Sequence, residues 1–412
     1  MEDNRAEAPR ASVGVVAEAE AGERRVALVP ETARRLVRGG MSVLVESGAG
    51  DRCWYPDDAY RDAGAQVVSR PEVLGRSAVV LCVSRPPSGD LARLGAGQML
   101  IGLLDPATDP EEFAAMAERG VTAVSLERIP RTLSRAQSMD VLTSQASVAG
   151  YKAVLLAATE FGRYFPLLIT AAGTSRPARV LVLGAGVAGL SAIGTARRLG
   201  AVVTGYDVRP ETRGEIESLG ARFLELTSVG PAGGSGGYAR ALTAEEQGAQ
   251  QRELESLLPS FDVIITTAAV PGRRPPVLVS AAAADRLRPG TVVVDMASGP
   301  LGGNVEGSSP GRATVTAAGA TLIGAGDLPS TVPTAASDAF SQNMAAVLGL
   351  LFRDGAPSVD LDDEVSAAVV VAHAGRLIRP ETPPAPAPNP VPGPHADNTE
   401  RTREPDEPIT AV

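Results

Sequence analysis

The chain has 412 residues, of which 44% are hydrophobic, and it carries a formal net charge of −10. This length is enough for two packed domains of ordinary size. The acidic balance argues against a nucleic-acid or anionic-membrane surface, because phosphate binding needs clustered Lys and Arg. The two cysteines, Cys53 and Cys82, are too few for a disulfide framework and are typical of an intracellular protein.

Proton-transferring side chains are scarce in this chain. Histidine occurs only at His373 and His395, and the single lysine is Lys152. A dehydrogenase that oxidises an alcohol or an amine must move a proton as well as a hydride, usually with His or Lys. No run of about 20 uninterrupted apolar residues is present, and residues 1–10 lack the apolar centre of a secretory signal. We therefore expect a soluble intracellular protein with almost no His or Lys side chain available for proton transfer.

Short apolar runs alternate with helical patterns along the first third of the chain, which is typical of βαβ units. The predicted strands are 12–16, 42–45, 78–83, 99–103 and 121–124, and the predicted helices include 30–38 and 111–118. Each strand is apolar on both faces, as expected for a parallel sheet covered by helices.

A second series of the same kind follows a long helical pattern at 136–165. Its predicted strands are 179–183, 202–206, 261–265 and 291–294, with a helix at 187–199 and a final helix at 337–352. Periodicity does not fix where that final helix packs, but its position allows a return to the first unit. We predict an α/β protein with two Rossmann-like domains and parallel sheets, the second domain inserted in the first.

The predicted boundaries follow from this arrangement. Residues 1–136 and 331–378 form the first domain, and residues 137–330 form the second, Rossmann domain with the linking helix at its start. Residues 379–412 are rich in Pro and polar residues, and this composition predicts a disordered tail.

A glycine fingerprint opens the predicted helix at 187. Gly184 permits a tight turn after the strand, Gly186 lets the backbone approach a pyrophosphate, and Gly189 lets helix and strand pack closely. The next strand ends at Asp207, whose carboxylate suits the ribose hydroxyls and repels a 2′-phosphate. Arg209 could accept such a phosphate, but Asp207 occupies the strand end itself, so the pattern predicts NAD(H).

A further motif reads Ser-Arg-Ala-Gln-Ser-Met-Asp over 134–140 and continues through 144–145 to 149–151. It resembles the NAD(H)-binding alpha subunit of proton-translocating NAD(P) transhydrogenase, and matching segments cover about 12–378. The opening at 22–31 is shared with alanine dehydrogenase. Other matching segments, in family order, are 170–173, the fingerprint, 236–238, 266–272 and 302–304.

The resemblance implies an oxidoreductase that passes a hydride between NAD(H) on this chain and NADP(H) on a partner subunit. In the complex this transfer is coupled to proton translocation, with the stereochemistry of the Re/Si-specific type and activity only with the partner. The resemblance also implies a homodimer, membrane-embedded partner subunits and a peripheral position on the cytoplasmic face of the membrane.

Site residues are carried over position by position from that resemblance. It places Arg131, Gln137, Asp140 and Thr143 around the nicotinamide, the last where the family usually has Ser. One extra residue before Ser134 leaves either Arg131 or Arg135 to contact the carboxamide. The further cofactor-binding positions are Val187, Asp207, Val208, Arg209, Gly237, Gln250 and Ala269.

The chemistry agrees with these residue types. Hydride transfer between two nicotinamides needs the rings held about 3–3.5 Å apart and shielded from water, not an acid–base pair. The glycine-rich segment 233–238 ends in Tyr238, and we favour a lid over the bound cofactor rather than a plain linker. Lys152 is interpreted as a helix-surface charge, and no metal site is predicted.

Two alternatives are kept. An alanine dehydrogenase-like enzyme would use a lysine and a histidine in the first domain, and the stretches 83–86 and 103–106 contain neither. A non-catalytic NAD(H)-binding module would share the fingerprint without turnover.

Overall fold

The computed structural model describes residues 11–227, 244–268, 274–353 and 355–378, and all of them belong to one compact unit that ends at Ile378. Gly237, Tyr238, Ala269 and the predicted tail at 379–412 lie outside the described residues. The predictions made for them, including the lid, stay predictions.

The strands in chain order are β1 (Ser12–Val15), β2 (Ser42–Glu46), β3 (Gln66–Val68), β4 (Val79–Ser84), β5 (Met99–Leu103), β6 (Thr122–Ser125), β7 (Leu168–Thr170), β8 (Gly173–Ser175), β9 (Arg179–Leu183), β10 (Val202–Tyr206), β11 (Arg222–Phe223), β12 (Val263–Thr266), β13 (Val292–Asp295), β14 (Arg312–Val315), β15 (Thr321–Gly324), β16 (Phe352–Arg353), β17 (Ala356–Pro357), β18 (Val370–His373) and β19 (Arg376–Leu377).

The α-helices are α1 (Pro30–Arg38), α2 (Asp57–Asp62), α3 (Arg70–Arg76), α4 (Ser88–Leu91), α5 (Pro110–Glu118), α6 (Val141–Glu160), α7 (Val187–Arg198), α8 (Thr212–Ser218), α9 (Ala244–Leu257), α10 (Ala281–Ala284), α11 (Pro333–Leu351) and α12 (Glu364–Val369). Short 3₁₀ helices include Leu126–Arg128 and Ser134–Met139.

Two large sheets organise the described chain. The first has the strand order β19-β18-β6-β5-β4-β1-β2-β3, and the second has the order β11-β10-β9-β12-β13-β15-β14. The prediction of two Rossmann-like units is confirmed. Fully parallel sheets are not found: β14 runs antiparallel to β15, and β18 and β19 add antiparallel strands beside β6. The pairs β14–β15 and β18–β19 are joined by short connections, which antiparallel pairing permits.

Both faces of each sheet are buried. This follows from the two apolar clusters of each sheet, which take alternate residues of its strands. In the first sheet Val13 and Val15 pack in one cluster, and Val80 and Cys82 in the other. The cluster around Val13 also takes the apolar face of α11 through Phe340, Met344, Val347, Leu348 and Leu351. The last long helix therefore packs on the first sheet although it follows the second, and it starts earlier than predicted because Pro333 occupies its first turn.

The linking helix α6 is shorter than the predicted 136–165 pattern. Its first turn is capped by Asp140, whose side chain accepts a hydrogen bond from the Thr143 amide, and the residues before it form a 3₁₀ helix. It lies close to α7: a Cβ on Gly150 would be only 2.0 Å from the carbonyl oxygen of Ala188. It also contacts α11.

By length and composition alone α6 could also cross a membrane, and it is the only described helix of which this is true. It contains the buried polar side chain of Gln145 and packs on α7 and α11, so a position inside a compact unit accounts equally well for its composition.

Candidate functional site

The glycine fingerprint forms the turn from β9 into α7, and each glycine has its own steric reason. Gly184 has φ +102°, and a Cβ on it would lie 2.4 Å from the Thr267 hydroxyl oxygen. A Cβ on Gly189 would lie 1.9 Å from the carbonyl oxygen of Gly184. Gly186, by contrast, is the residue before α7 and has no atom within 4 Å of its added Cβ position. The first and third glycines are required by packing, whereas the second leaves free space before the helix.

That free space lies where an anion is favoured. The first amide groups of α7 have no partners within the helix, and the helix dipole makes this end positive. The turn also lies at the strand-order reversal of the second sheet, between β9 and β12, where nucleotides bind in open α/β folds. The local geometry therefore fits the pyrophosphate of a dinucleotide.

Asp207 follows β10 and faces this turn. Its carboxylate accepts hydrogen bonds from the Ala185 amide at 2.8 Å, from the Arg209 amide at 3.0 Å, and from Arg209 Nε and Nη2 at 3.0 and 3.1 Å. Burial alone would raise the pKa of Asp207, but these hydrogen bonds from Arg209 and Ala185 hold it below its ordinary value. Asp207 is therefore an anion beside the fingerprint, and Arg209 is held by it rather than free to meet a 2′-phosphate.

Three further residues predicted to contact the cofactor lie on α7, beside Asp207 and on α9. Val187 begins α7 half-buried, and Val208 is exposed beside Asp207. On α9, the Gln250 side-chain amide donates to the Tyr206 hydroxyl at the end of β10. Burial raises the pKa of Tyr206 to about 12 despite that hydrogen bond, so its hydroxyl stays protonated.

The opposite side of the crevice is held by two buried side chains that sequence reasoning gave no role. The Asn304 side chain accepts from the Ala268 amide at 3.0 Å and donates to its carbonyl at 2.8 Å. Asp295, at the end of β13, accepts from the Thr266 hydroxyl at 3.0 Å and from the Asn304 amide at 3.3 Å. Together they fix the segment after β12. An acidic residue directly after a buried strand was the available signal for Asp295.

Three of the four residues predicted around the nicotinamide form one cluster at the start of α6. Arg131 Nε lies 3.2 Å from Asp140 Oδ2, and Arg131 Nη2 donates to the Thr143 hydroxyl at 3.1 Å. That hydroxyl in turn donates to Asp140 Oδ2 at 2.6 Å. The Asp140 side chain is 8% exposed and the Arg131 side chain is 50% exposed, so the carboxylate of the cluster is buried and its guanidinium is accessible.

Gln137 and Arg135 belong to the 3₁₀ helix just before this cluster. Gln137 is exposed there, next to the cluster in the chain. Arg135 pairs instead with Asp363, the residue that caps α12, at 2.6 Å. Arg131 thus lies beside Asp140 and Thr143, whereas Arg135 pairs with Asp363, which favours Arg131 of the two candidates.

The two predicted halves of the site lie on helices that touch. Ser191 of α7 donates to the Ser147 carbonyl of α6 at 2.7 Å, close to where Gly150 meets Ala188. From Val141 to Gly150 the helix rises roughly 13 Å. The fingerprint turn and the Asp140 cluster are thus joined by one rigid helix pair.

The corresponding edge of the first sheet is closed by side chains. Its strand order reverses between β1 and β4, and the Glu18 carboxylate accepts from the amides of Val83 at 2.6 Å and Ser84 at 3.0 Å across that point. Burial raises the pKa of Glu18 to about 7. Glu127 likewise accepts from the amides of Leu104 and Asp105 after β5. The amides that a nucleotide would need here already have acceptors.

Three further residues were singled out in the sequence, the two cysteines and the lysine. Cys53 and Cys82 are both buried free thiols, and Lys152 lies half-buried on α6. Among the residues that the structure describes, no group of three or more His, Cys, Asp or Glu is arranged to hold a metal ion.

Comparison with known proteins agrees with this geometry. Residues 14–149 match the family described as alanine dehydrogenase/PNT, N-terminal domain, and residues 153–380 match its C-terminal domain. The chain is 39% identical over 373 residues to the NAD(P) transhydrogenase subunit alpha of Cereibacter sphaeroides, covering 89% of this chain and 71% of that one. It is 36% identical over 370 residues to the NAD(P) transhydrogenase subunit alpha of Haemophilus influenzae, covering 89% and 72%.

Solved structures give the same relationship. A transhydrogenase from Sinorhizobium meliloti superimposes with a TM-score of 0.81 at 37% identity, covering 89% of this chain and all of that one. An L-alanine dehydrogenase superimposes with a TM-score of 0.73 at 27% identity, covering 90% and 97%. By sequence and by fold, this chain belongs to the alanine dehydrogenase/PNT family and is similar over most of its length to transhydrogenase alpha subunits.

Proposed function

We propose that this chain is the NAD(H)-binding subunit of a proton-translocating NAD(P) transhydrogenase of the Re/Si-specific type. It exchanges a hydride between NAD(H) on this chain and NADP(H) on a partner subunit and is active only with that partner. The observation that carries the proposal is the Arg131–Asp140–Thr143 cluster, which is joined through α6 and α7 to an open glycine turn. Its groups suit a carboxamide and a ribose rather than proton transfer.

The chain's own residues have two tasks in this proposal. Gly184, Gly186, Val187 and Gly189 would hold the pyrophosphate, and Asp207 would select NAD(H) over NADP(H) by its negative charge. Bound NADH supplies the hydride, and no acid or base is needed for that step. Arg131, Gln137, Asp140 and Thr143 would hold the nicotinamide in the orientation that the partner's NADP requires.

The partner subunits are the second element of the proposal. We propose that the membrane-embedded and NADP(H)-binding subunits hold this chain on the cytoplasmic face of the membrane. A protein of this composition, with a net charge of −10, would not bind an anionic membrane surface by electrostatics alone.

A homodimer is the third element. The hairpin β7–β8 is a two-stranded sheet by itself, and Ile169 on it is 76% exposed, with Tyr164 and Leu167 also exposed nearby. An isolated hairpin of this kind is marginally stable in water, and its apolar side chains favour burial against a second copy. Ile169→Asp should shift the protein toward monomer in sedimentation equilibrium, and an unchanged mass would count against this interface.

The decisive experiment mixes the purified chain with the NADP(H)-binding subunit. Alone, the chain should bind NADH without useful NADH-to-NADP hydride transfer, and with the partner it should transfer hydride to NADP or an analogue. Gln137→Ala and Asp140→Ala should slow the transfer at least tenfold while weakening NADH binding much less. Failure of the mixture to react while both nucleotides are demonstrably bound would contradict the proposal.

Amino-acid oxidation is the competing activity, and the same protein tests it. β4 ends at Ser84, and Leu104 follows β5. At these two strand ends the described chain has no lysine or histidine that could transfer a proton. Alanine and NAD should therefore give no turnover above background. Rapid reduction of NAD by alanine would favour the dehydrogenase alternative.

A further inference from the structure

One buried amide on α11 contacts both segments that carry the predicted nicotinamide residues. Asn343 is 8% exposed, and its Nδ2 donates to the carbonyl oxygen of Ser138 at 2.8 Å. Its Oδ1 accepts from the Ser144 hydroxyl at 2.6 Å. Neither the fingerprint nor the family motif assigned this residue a role.

The two partners of Asn343 are placed next to the candidate site residues. Ser138 follows Gln137 in the 3₁₀ helix, and Ser144 follows Thr143 in the first turn of α6. Because the amide group is planar, its donor and its acceptor are held at a fixed separation. Asn343 therefore sets the spacing between the turn that carries Gln137 and the helix start that carries Asp140 and Thr143.

Packing alone does not explain an asparagine at this position. Phe340 and Met344 on the same helix enter the apolar cluster of the first sheet, and a leucine would extend that cluster. A buried amide needs hydrogen-bond partners to be tolerated, and the Asn343 amide has one for its donor and one for its acceptor. A role in geometry is thus a better reason for the amide than a role in stability.

The amide also ends a continuous chain of polar contacts that runs from the partly buried Ser144 to the half-exposed Asp327. Ser144 lies 3.4 Å from Gln145 Nε2, and Gln145 Oε1 accepts from Arg25 Nη1 at 2.9 Å. Arg25 reaches Asp327, which follows the second sheet, at 2.7 Å. The spacing that Asn343 sets is therefore fixed relative to the nucleotide-binding unit as well as to α11.

We propose that Asn343 is a positioning residue for hydride transfer: its amide holds the Gln137 turn against the start of α6 so that the nicotinamide is correctly oriented. This inference rests on the function proposed above. It assigns no contact between Asn343 and the dinucleotide, so the residue should affect orientation and rate rather than affinity.

The main test compares Asn343→Leu with Ser341→Ala. Ser341 is a matched control, because it is buried on the same helix and accepts a hydrogen bond from the Val29 amide at 3.0 Å, away from the site. The readouts are single-turnover hydride transfer from NADH to an NADP analogue with the partner subunit present, the dissociation constants of NADH and ADP-ribose, and the fluorescence of bound NADH.

Asn343→Leu should slow hydride transfer at least tenfold, change the emission of bound NADH, and leave the ADP-ribose affinity within twofold of wild type. The NADH affinity should fall no more than threefold. Ser341→Ala should lower the melting temperature without changing the transfer rate or the emission. A folded Asn343→Leu protein with wild-type transfer rate and emission would overturn the proposal, as would equal losses of rate and of NADH affinity.

Ser144→Ala is the milder second variant should Asn343→Leu fail to fold. It removes one hydrogen bond to the amide, and transfer should slow at least threefold at unchanged ADP-ribose affinity; a wild-type rate and emission here would also overturn the proposal. If the wild-type mixture itself transfers no hydride, the proposed function fails, and the emission of bound NADH still decides whether Asn343 orients the nicotinamide.

Discussion

The two sheets of this protein reverse their strand order at equivalent places, yet only one of these places is open. In the first sheet the carboxylate of Glu18, which follows β1, accepts from the amides of Val83 and Ser84 at the end of β4. In the second, Gly186 leaves free space between β9 and the first turn of α7. The equivalent crevice is thus occupied by a side chain in one unit and left free in the other.

This difference shows that a Rossmann-like fold creates a crevice at the strand-order reversal but does not determine whether a ligand can bind there. Backbone amides at the strand ends need acceptors, and either a side-chain carboxylate or a bound phosphate can provide them. In the first unit a glutamate is the acceptor for two such amides, whereas in the second the space at Gly186, before the first amides of α7, stays free. This comparison supports one dinucleotide per chain, and four predictions test it.

The largest effect is expected for a methyl group at Gly189, because its Cβ would be 1.9 Å from the Gly184 carbonyl oxygen and the turn must open. Gly189→Ala should weaken NADH binding at least 100-fold in calorimetry. Gly14→Ala is the matching change in the first sheet, where the added Cβ would meet the Ser77 hydroxyl at 2.1 Å. It should lower the melting temperature while NADH still binds, and loss of binding there would break the comparison.

Gly186→Ala should separate binding from folding. Its Cβ meets no protein atom within 4 Å, and its backbone has an ordinary negative φ, so the variant should melt like wild type. The methyl group would occupy the space proposed for the pyrophosphate, and NADH affinity should fall at least tenfold. Gly89→Ala, which also has open space around it but lies in the first unit, is the control. Unchanged NADH affinity in Gly186→Ala would move the phosphate site elsewhere.

Asp207→Ala should reduce the preference for NADH over NADPH about tenfold. The substitution removes the anion that repels a 2′-phosphate and releases Arg209, which is bound to that carboxylate at 3.0 and 3.1 Å. Calorimetry with both nucleotides measures the ratio. We expect wild type to bind NADH at least tenfold more tightly than NADPH, and equal affinities in wild type would show that Asp207 does not select the cofactor.

The smallest effect is expected for Glu18, the side chain that occupies the crevice of the first sheet. Its pKa is raised from 4.5 to about 7 in the folded chain, chiefly by burial, so the folded state binds this proton more tightly than the unfolded state. The stability that this proton contributes is present below pH 4.5 and is lost as the pH rises through 7. Glu18→Gln should therefore reduce the loss of unfolding free energy between pH 5 and pH 8, by on the order of 2 kcal/mol.

Denaturant unfolding at the two pH values measures that difference, and NADH affinity at pH 7 should be unchanged in Glu18→Gln. An identical pH dependence in wild type and variant would show that Glu18 titrates normally. A large loss of NADH binding would place Glu18 in the nucleotide site and contradict the division between the two crevices.

Several features were predictable because their causes are local in sequence. The strand, the glycine turn, the helix at 187 and the acidic residue at 207 follow from side-chain size and strand spacing over about 25 residues. Apolar runs likewise predicted β1, β2, β4, β5 and β6 of the first sheet and β9, β10, β12 and β13 of the second, but not the other strands of the two sheets. By contrast, the 136–165 pattern gave too long a helix, because apolar residues before Asp140 pack equally well in a 3₁₀ helix once Asp140 caps α6.

The sequence by itself determined the fold class and the fingerprint turn, since each depends on neighbours within one βαβ unit. Only the tertiary structure decided that Arg135 pairs with Asp363, 228 residues away, leaving Arg131 with Asp140. It alone placed Asn343 between Ser138 and Ser144, about 200 residues earlier in the chain. Such contacts depend on how α11 returns to the first sheet, and no local pattern encodes that long-range packing.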